Sequence, residues 1–167
     1  MLKTITNEDY FIDLTFFLIG SSSWAQRKAQ NLTLLVTIDG QILEDVIDGQ
    51  FVIKDKDGKP VQKMPFLAWV GRLEMNSEDY NKFLKVPKED SLYVHFENND
   101  FKLDTNYVYE GKIPLGLIND RYLILNIYNK KNKDSQQKYV FPDHMDYVFQ
   151  VVAPGYYTKL KFIEKPR

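Results

Sequence analysis

Short runs of β-branched and aromatic residues recur along almost the whole chain, and turn residues separate them. FIDLTFFL, LTLLVTI and RYLILNIYN are examples, and each is about as long as one strand. Pro154 and Gly155 suit the centre of a type II turn. No helical stretch separates consecutive runs, as a parallel α/β sheet would require. About ten short strands with turns roughly every eight to twelve residues therefore predict an all-β chain, an antiparallel two-sheet β-sandwich.

One stretch departs from the strand pattern. In NSEDYNKFLKV, Asn76 or Ser77 can cap a helix, and the two acidic residues that follow suit its first turn. Tyr80, Phe83 and Leu84 then form one apolar stripe. These signals predict one short surface helix near residues 77–85.

Composition limits both the architecture and the partners. The 167 residues fit a single domain spanning 1–167. With 27% charged residues and a net charge of -1, the chain has no general affinity for polyanions, which argues against nucleic acid as a main partner. The absence of cysteine excludes disulfides, thiol nucleophiles and zinc–thiolate sites.

The beginning of the chain contains an apolar run from Leu14 to Ile19. Acidic residues at positions 8, 9 and 13 precede it, whereas a secretory leader begins with positive charge. We therefore expect no signal peptide, which makes the cytoplasm the default compartment. No apolar stretch approaches the roughly 20 residues of a membrane span.

Three Asp-Gly pairs follow one another at nine-residue intervals: Asp39-Gly40, Asp48-Gly49 and Asp57-Gly58. A nonapeptide calcium repeat needs several glycines in each unit, and each unit here has one. Asp-Gly is also a favoured pair for a two-residue hairpin turn, so we predict three turns of a meander. One metal hypothesis remains open, a calcium ion held between hairpin ends by Asp48 and Asp57.

The last of these pairs lies in DKDGKPV. This seven-residue stretch resembles a hairpin found in bacterial immunoglobulin-like and transthyretin-like sandwiches. The resemblance implies a sandwich of immunoglobulin-like or transthyretin-like type and no particular activity.

Candidate partner-binding residues come from exposed aromatics and from one basic run. Trp24 lies in a polar segment without an evident core role, and Tyr107 and Tyr109 share one face of a predicted strand. The basic run contains Lys130, Lys131 and Lys133. The alternative is that the tyrosines fill the core and the lysines belong to a solvated hairpin loop.

Catalytic motifs are weak. The chain has two histidines, His95 and His144; only His144 is flanked closely by acids, and no nucleophile elbow accompanies it. We therefore expect a non-catalytic sandwich that acts through protein–protein contacts, as an adaptor or as a subunit of an assembly. The second hypothesis is a module that binds carbohydrate or another small ligand, with or without calcium. The third is a hydrolase that uses carboxylates or His144.

Overall fold

The computed structural model describes residues 27–100 and 105–163. Over these ranges the chain forms two β-sheets with two short helices, so the all-β sandwich prediction is confirmed. The predicted first strand at residues 11–18 and the candidate Trp24 lie outside the described residues.

The elements follow one another in a simple order. The strands are β1 (Arg27–Ala29), β2 (Thr33–Ile38), β3 (Gln41–Ile42), β4 (Asp45–Lys54), β5 (Pro60–Trp69), β6 (Arg72–Asn76), β7 (Ser91–Asp100), β8 (Thr105–Ile113), β9 (Tyr122–Asn129), β10 (Tyr147–Ala153) and β11 (Tyr156–Tyr157). The helices are α1 (Ser77–Phe83) and α2 (Lys133–Lys138), and a 3-10 turn covers Leu115–Leu117.

One sheet has six strands in the order β1-β6-β5-β4-β7-β8, and the other has five in the order β11-β10-β9-β2-β3. Neighbouring strands are antiparallel except β2 and β9, which pair in parallel from Thr33–Tyr122 to Ile38–Ile127. A parallel pair needs a long crossover, and here strands β4 to β8 of the six-stranded sheet lie between the two partners in sequence.

The core lies between the sheets. In β2 and β9 every second side chain is buried, as the two-residue period of a strand requires. Opposite them, Phe51 lies 4.5 Å from Phe66 and 4.6 Å from Phe83, measured between ring centroids. Phe83 belongs to α1, so this helix packs its apolar side into the core of the sandwich.

The helix predicted near residues 77–85 is confirmed as α1. Its N-cap is Asn76, whose Oδ1 accepts a hydrogen bond from the Glu78 amide at 2.8 Å. A second helix, α2, replaces part of the predicted basic loop. Asn132 caps it in the same way, because its Oδ1 accepts hydrogen bonds from the amides of Asp134 and Ser135.

The three Asp-Gly pairs do not have one role. Asp39 and Gly40 have φ angles of +51° and +82° in the two-residue link from β2 to β3, as a type I′ turn requires. Asp57 and Gly58 belong to the β4–β5 turn, so these two predictions are confirmed. The prediction for Asp48-Gly49 is wrong: this pair forms a bulge inside β4, where one extra residue separates the pairings Val46–Ala68 and Gly49–Phe66.

In the segment FLAWVGRLEM, residues 66–75, the alternation of apolar and polar residues is typical of one strand, but the segment forms a hairpin. β5 ends at Trp69, Val70 and Gly71 turn the chain, and β6 begins at Arg72. The buried positions are even-numbered in β5 and odd-numbered in β6, because the turn lies between them. Phe66 and Ala68 are therefore buried, whereas Trp69 is 43% exposed. Gly71 permits the turn because its φ is +77°.

Candidate functional site

A cleft of about 840 Å³ opens at one end of the sandwich. It lies where β2, β7 and β9 end and where β8 and β10 begin, and we call it the end cleft. Its walls carry tyrosines, carboxamides, carboxylates, one lysine and one histidine. Such a mixture of aromatic rings and polar groups is typical of binding sites for polar ligands or peptide segments.

Asp39 lies at the base of the end cleft, in the turn between β2 and β3. Its Oδ1 accepts hydrogen bonds from the Asn129 amide at 2.8 Å and from the Ser135 hydroxyl at 3.2 Å, and its Oδ2 accepts one from Asn129 Nδ2 at 2.9 Å. Ser135 is only 5% exposed. One carboxylate therefore fixes the β2–β3 turn to the end of β9 and to α2.

Tyr109 extends this network into the sandwich. Its hydroxyl donates a hydrogen bond to Asn129 Oδ1 at 3.1 Å, so the amide, the Nδ2 and the Oδ1 of Asn129 all have partners. Tyr109 is 2% exposed, and burial raises its pKa to about 12, with the nearby charge of Asp39 acting in the same direction. Tyr109 is thus a buried residue that supports the more exposed residues of the cleft wall.

Three of the predicted partner residues come together here. The ring of Tyr107 stacks on that of Tyr109 with centroids 6.3 Å apart, and Tyr147 meets Tyr109 edge-on at 5.1 Å. Lys131 Nζ lies 5.4 Å from the centroid of the Tyr107 ring. Tyr107 is partly exposed and Lys131 is exposed, so these two present an aromatic face and a positive charge to the cleft.

The other predicted lysines do not line the end cleft. Lys130 is exposed in the segment that links β9 to α2, and Lys133 is exposed as the first residue of α2. The Lys130 amide donates a hydrogen bond to the Asp146 carbonyl at 2.7 Å, which joins this segment to the residues before β10. The basic run therefore contributes one charge to the cleft wall and two to the adjoining surface.

Asp48 and Asp57 are not brought together. Asp48 lies in the β4 bulge and Asp57 in the turn after β4, and the strand between them spans on the order of 20 Å. That separation is several times the reach of two carboxylates around one calcium ion. Within residues 27–100 and 105–163, no group of three or more His, Asp or Glu side chains could hold a metal.

The two histidines lie at different places. His144 is exposed and lines the end cleft, and it forms no hydrogen bond with a hydroxyl or a carboxylate among the described residues. His95 is on the outer face of β7, with Nδ1 4.0 Å from Glu110 Oε2. The buried hydroxyl of Ser135 donates to Asp39, whose carboxylate is already bonded to Asn129, and neither histidine lies within hydrogen-bond distance of this hydroxyl among the described residues.

The outer edge of β8 is the second part of the site. The other three sheet edges are β1, β3 and β11, which have only two or three residues each, whereas β8 has nine. Short edge strands limit unwanted pairing, and a long one offers a template for another strand. β8 is therefore the longest edge strand among the described strands.

Tyr147 shows which backbone groups of β8 point outward. Its hydroxyl accepts a hydrogen bond from the Glu110 amide at 2.7 Å and donates one to the Glu110 carbonyl at 2.9 Å. Glu110 therefore directs both groups away from β7, and by strand alternation Asn106, Val108 and Lys112 do the same. We call these four residues the β8 edge. Asn106 and Val108 also line the end cleft, and their outward groups have no partner among the described residues.

Sequence patterns did not indicate Asp39, Asn129 or Tyr147 as site residues. Asp39 was identified only as a turn residue, and Asn129 directly precedes the basic run that begins at Lys130. Asp39 meets Asn129 across 90 positions and Tyr147 meets Glu110 across 37, so no local pattern could reveal these contacts.

Comparisons with protein-family models, curated proteins and solved structures find no match to this chain. Neither helix in the described ranges is long and apolar enough to cross a membrane.

The raised pKa of Tyr109 predicts a loss of stability at high pH. Because the pKa is about 12 in the fold and 10.0 in the reference state, the contribution is complete below about pH 10 and is lost as the pH rises through about 12. Between about pH 9 and 11.5, the urea concentration at the midpoint of unfolding should therefore fall less in Tyr109→Phe than in the wild type. An unchanged decline would show that Tyr109 is not responsible for it.

Proposed function

We propose that this domain is a non-catalytic recognition module that binds an extended segment of a partner protein by strand addition at β8. The observation that carries the proposal is the coincidence of an open strand edge with a cleft. Asn106 and Val108 direct outward backbone groups that have no partner within residues 27–100 and 105–163, at the point where the end cleft begins. A segment that pairs with them would lie with one side against the cleft wall.

Backbone pairing would supply part of the affinity. Each hydrogen bond of such a ladder contributes roughly 0.5–1.5 kcal/mol net, and main-chain pairing does not depend on the sequence of the segment. Two outward residues offer up to four such bonds, which supports weak or transient contact. Side-chain contacts must therefore provide the specificity.

The cleft wall favours particular side chains. Lys131 forms no ion pair among the described residues and lies over Tyr107, so an acidic side chain of the segment fits beside it. Tyr107 offers a partly exposed ring that an apolar or aromatic side chain can cover. The preferred segment is thus extended, with an acidic and an apolar residue on the side that faces the cleft.

A proline at position 108 tests strand addition. Val108→Pro removes one outward N–H without removing a bond to β7, and edge strands accept proline there. We expect peptides selected from a random display library against the wild-type domain to bind Val108→Pro about fivefold more weakly than Val108→Ala, since one backbone hydrogen bond is worth about 1 kcal/mol. Fluorescence polarisation measures both affinities.

Val108→Ala is the matched control because both variants lose the valine side chain and only the proline loses the N–H. The selected peptides should also slow amide hydrogen exchange at Asn106 and Val108. Equal affinities for the two variants, with no change in exchange, would contradict strand addition.

The second candidate is a neutral polar ligand such as an oligosaccharide, bound in the same cleft. The carboxamides of Asn98, Asn106 and Asn132 line it together with Tyr107, and carboxamides and tyrosine rings suit sugar hydroxyls and sugar faces. Calorimetric titration with a glycan panel tests this candidate. A sugar should lose affinity with Tyr107→Ala and keep it with Val108→Pro, whereas a strand-adding peptide should be sensitive to both.

A further inference from the structure

The hydroxyl of Tyr147 occupies the middle of the β8 edge. One side-chain group satisfies both the N–H and the C=O of Glu110, at 2.7 and 2.9 Å. Tyr147 is held in this place from the side, since its ring meets Tyr109 edge-on at 5.1 Å. An incoming strand cannot use the backbone of Glu110 while this hydroxyl is bonded to it.

We infer that Tyr147 is a specificity-determining residue that ends strand addition at Val108 and prevents β8 of one copy from pairing with β8 of a second copy. The limit on partner segments rests on the proposed function. The block against self-pairing does not, because it depends only on the geometry of the edge.

The second copy is the occupant that this edge fits best once the hydroxyl is removed. If the two copies of β8 pair as antiparallel strands about a two-fold axis at Gly111, Glu110 of each copy lies opposite Lys112 of the other copy. Both residues direct their backbone groups outward. Lys112 forms no ion pair among the described residues, and Glu110 already has Lys54 Nζ 2.6 Å from its Oε1, so Lys112 of the second copy would be a further partner of the same carboxylate. The hydroxyl of Tyr147 occupies the backbone groups of Glu110 that this register requires.

Wild-type amide exchange gives the first test. Glu110 and Val108 both direct their N–H outward on β8, but only Glu110 has the hydroxyl as a partner. We expect the Glu110 amide to exchange at least tenfold more slowly than the Val108 amide. Equal rates would overturn the inference without any variant.

Tyr147→Phe gives the second test. It keeps the ring and removes the hydroxyl, so Glu110 exchange should accelerate at least tenfold, and sedimentation velocity should show dimers at least tenfold tighter than any wild-type association. Tyr122→Phe is the control, because Tyr122 is an exposed strand tyrosine without a hydrogen bond among the described residues. Sedimentation of Tyr147→Phe identical to wild type would overturn the block against self-pairing.

The double variant Tyr147→Phe with Lys112→Glu locates the contact. Two glutamates would then oppose each other across the two-fold axis, and the dimer should dissociate. Persistent dimers would overturn the proposed register. Failure of every peptide to bind would leave these results unchanged and would count against the proposed function alone.

Discussion

Replacing Asp39 with alanine is expected to lower the free energy of unfolding by about 3 kcal/mol. The substitution removes three hydrogen bonds to one carboxylate and leaves donors of Asn129 and Ser135 without these partners at a partly buried place. It also places alanine at a φ of +51°, which aspartate tolerates better. The β2–β3 turn would keep the backbone hydrogen bond from the Asp39 amide to the Ile127 carbonyl but would lose its side-chain contacts with Asn129 and α2, so the end cleft should lose part of its shape.

Asp39→Asn is the matched control. Asparagine tolerates the same backbone conformation and retains one side-chain oxygen as an acceptor, so the expected loss is about 1 kcal/mol. Urea unfolding measures both values. Equal stability of the two variants would show that neither a side-chain acceptor nor tolerance of the positive φ contributes at this position, which would contradict the prediction.

Gly49→Ala is expected to lower the free energy of unfolding by about 2 kcal/mol, because a Cβ at this bulge position would overlap the ring of Phe66. The ring cannot move away easily, since Phe66 is fully buried and packs against Phe51 at 4.5 Å. The β4 bulge therefore requires glycine for reasons of space.

Two comparisons make this prediction specific. Gly116→Ala adds a Cβ that meets no atom within 4 Å, so its stability should equal that of the wild type. Phe66→Leu replaces the ring with a smaller side chain. Gly49→Ala should therefore lower the free energy of unfolding by less in the Phe66→Leu background than in the wild type. Additive effects of Gly49→Ala and Phe66→Leu in chemical denaturation would contradict the proposed overlap.

Local signals in the sequence predicted much of the fold. The cap at Asn76 and the turn at Asp39-Gly40 depend on residues only a few positions apart. Asp48-Gly49 is the same dipeptide but forms a bulge instead of a turn, because β5 pairs with β4 on both sides of it. The turn at Val70-Gly71 escaped prediction because valine is typical of strands.

The candidate site was predictable only in part. Tyr107, Tyr109 and Lys131 stood out as single residues, and the fold brings them to one wall. Their separate roles depend on burial, since Tyr109 is inside and Tyr107 is partly exposed, and a shared strand face does not reveal that difference. The network around Asp39 and the contact of Tyr147 with β8 depend on tertiary pairing that sequence periodicity does not encode.

The parallel pairing of β2 with β9 sets an order of events during folding. Thr37 meets Asn126 across 89 positions, whereas β4 to β8 include adjacent hairpins that close short loops. Closing the longer loop costs more chain entropy, and non-local pairing slows folding. We therefore expect the hairpins of both sheets, β9 with β10 included, to form early, and the five-stranded sheet to be complete only when β9 has paired with β2. The end cleft, which needs both sheets, should accordingly form late.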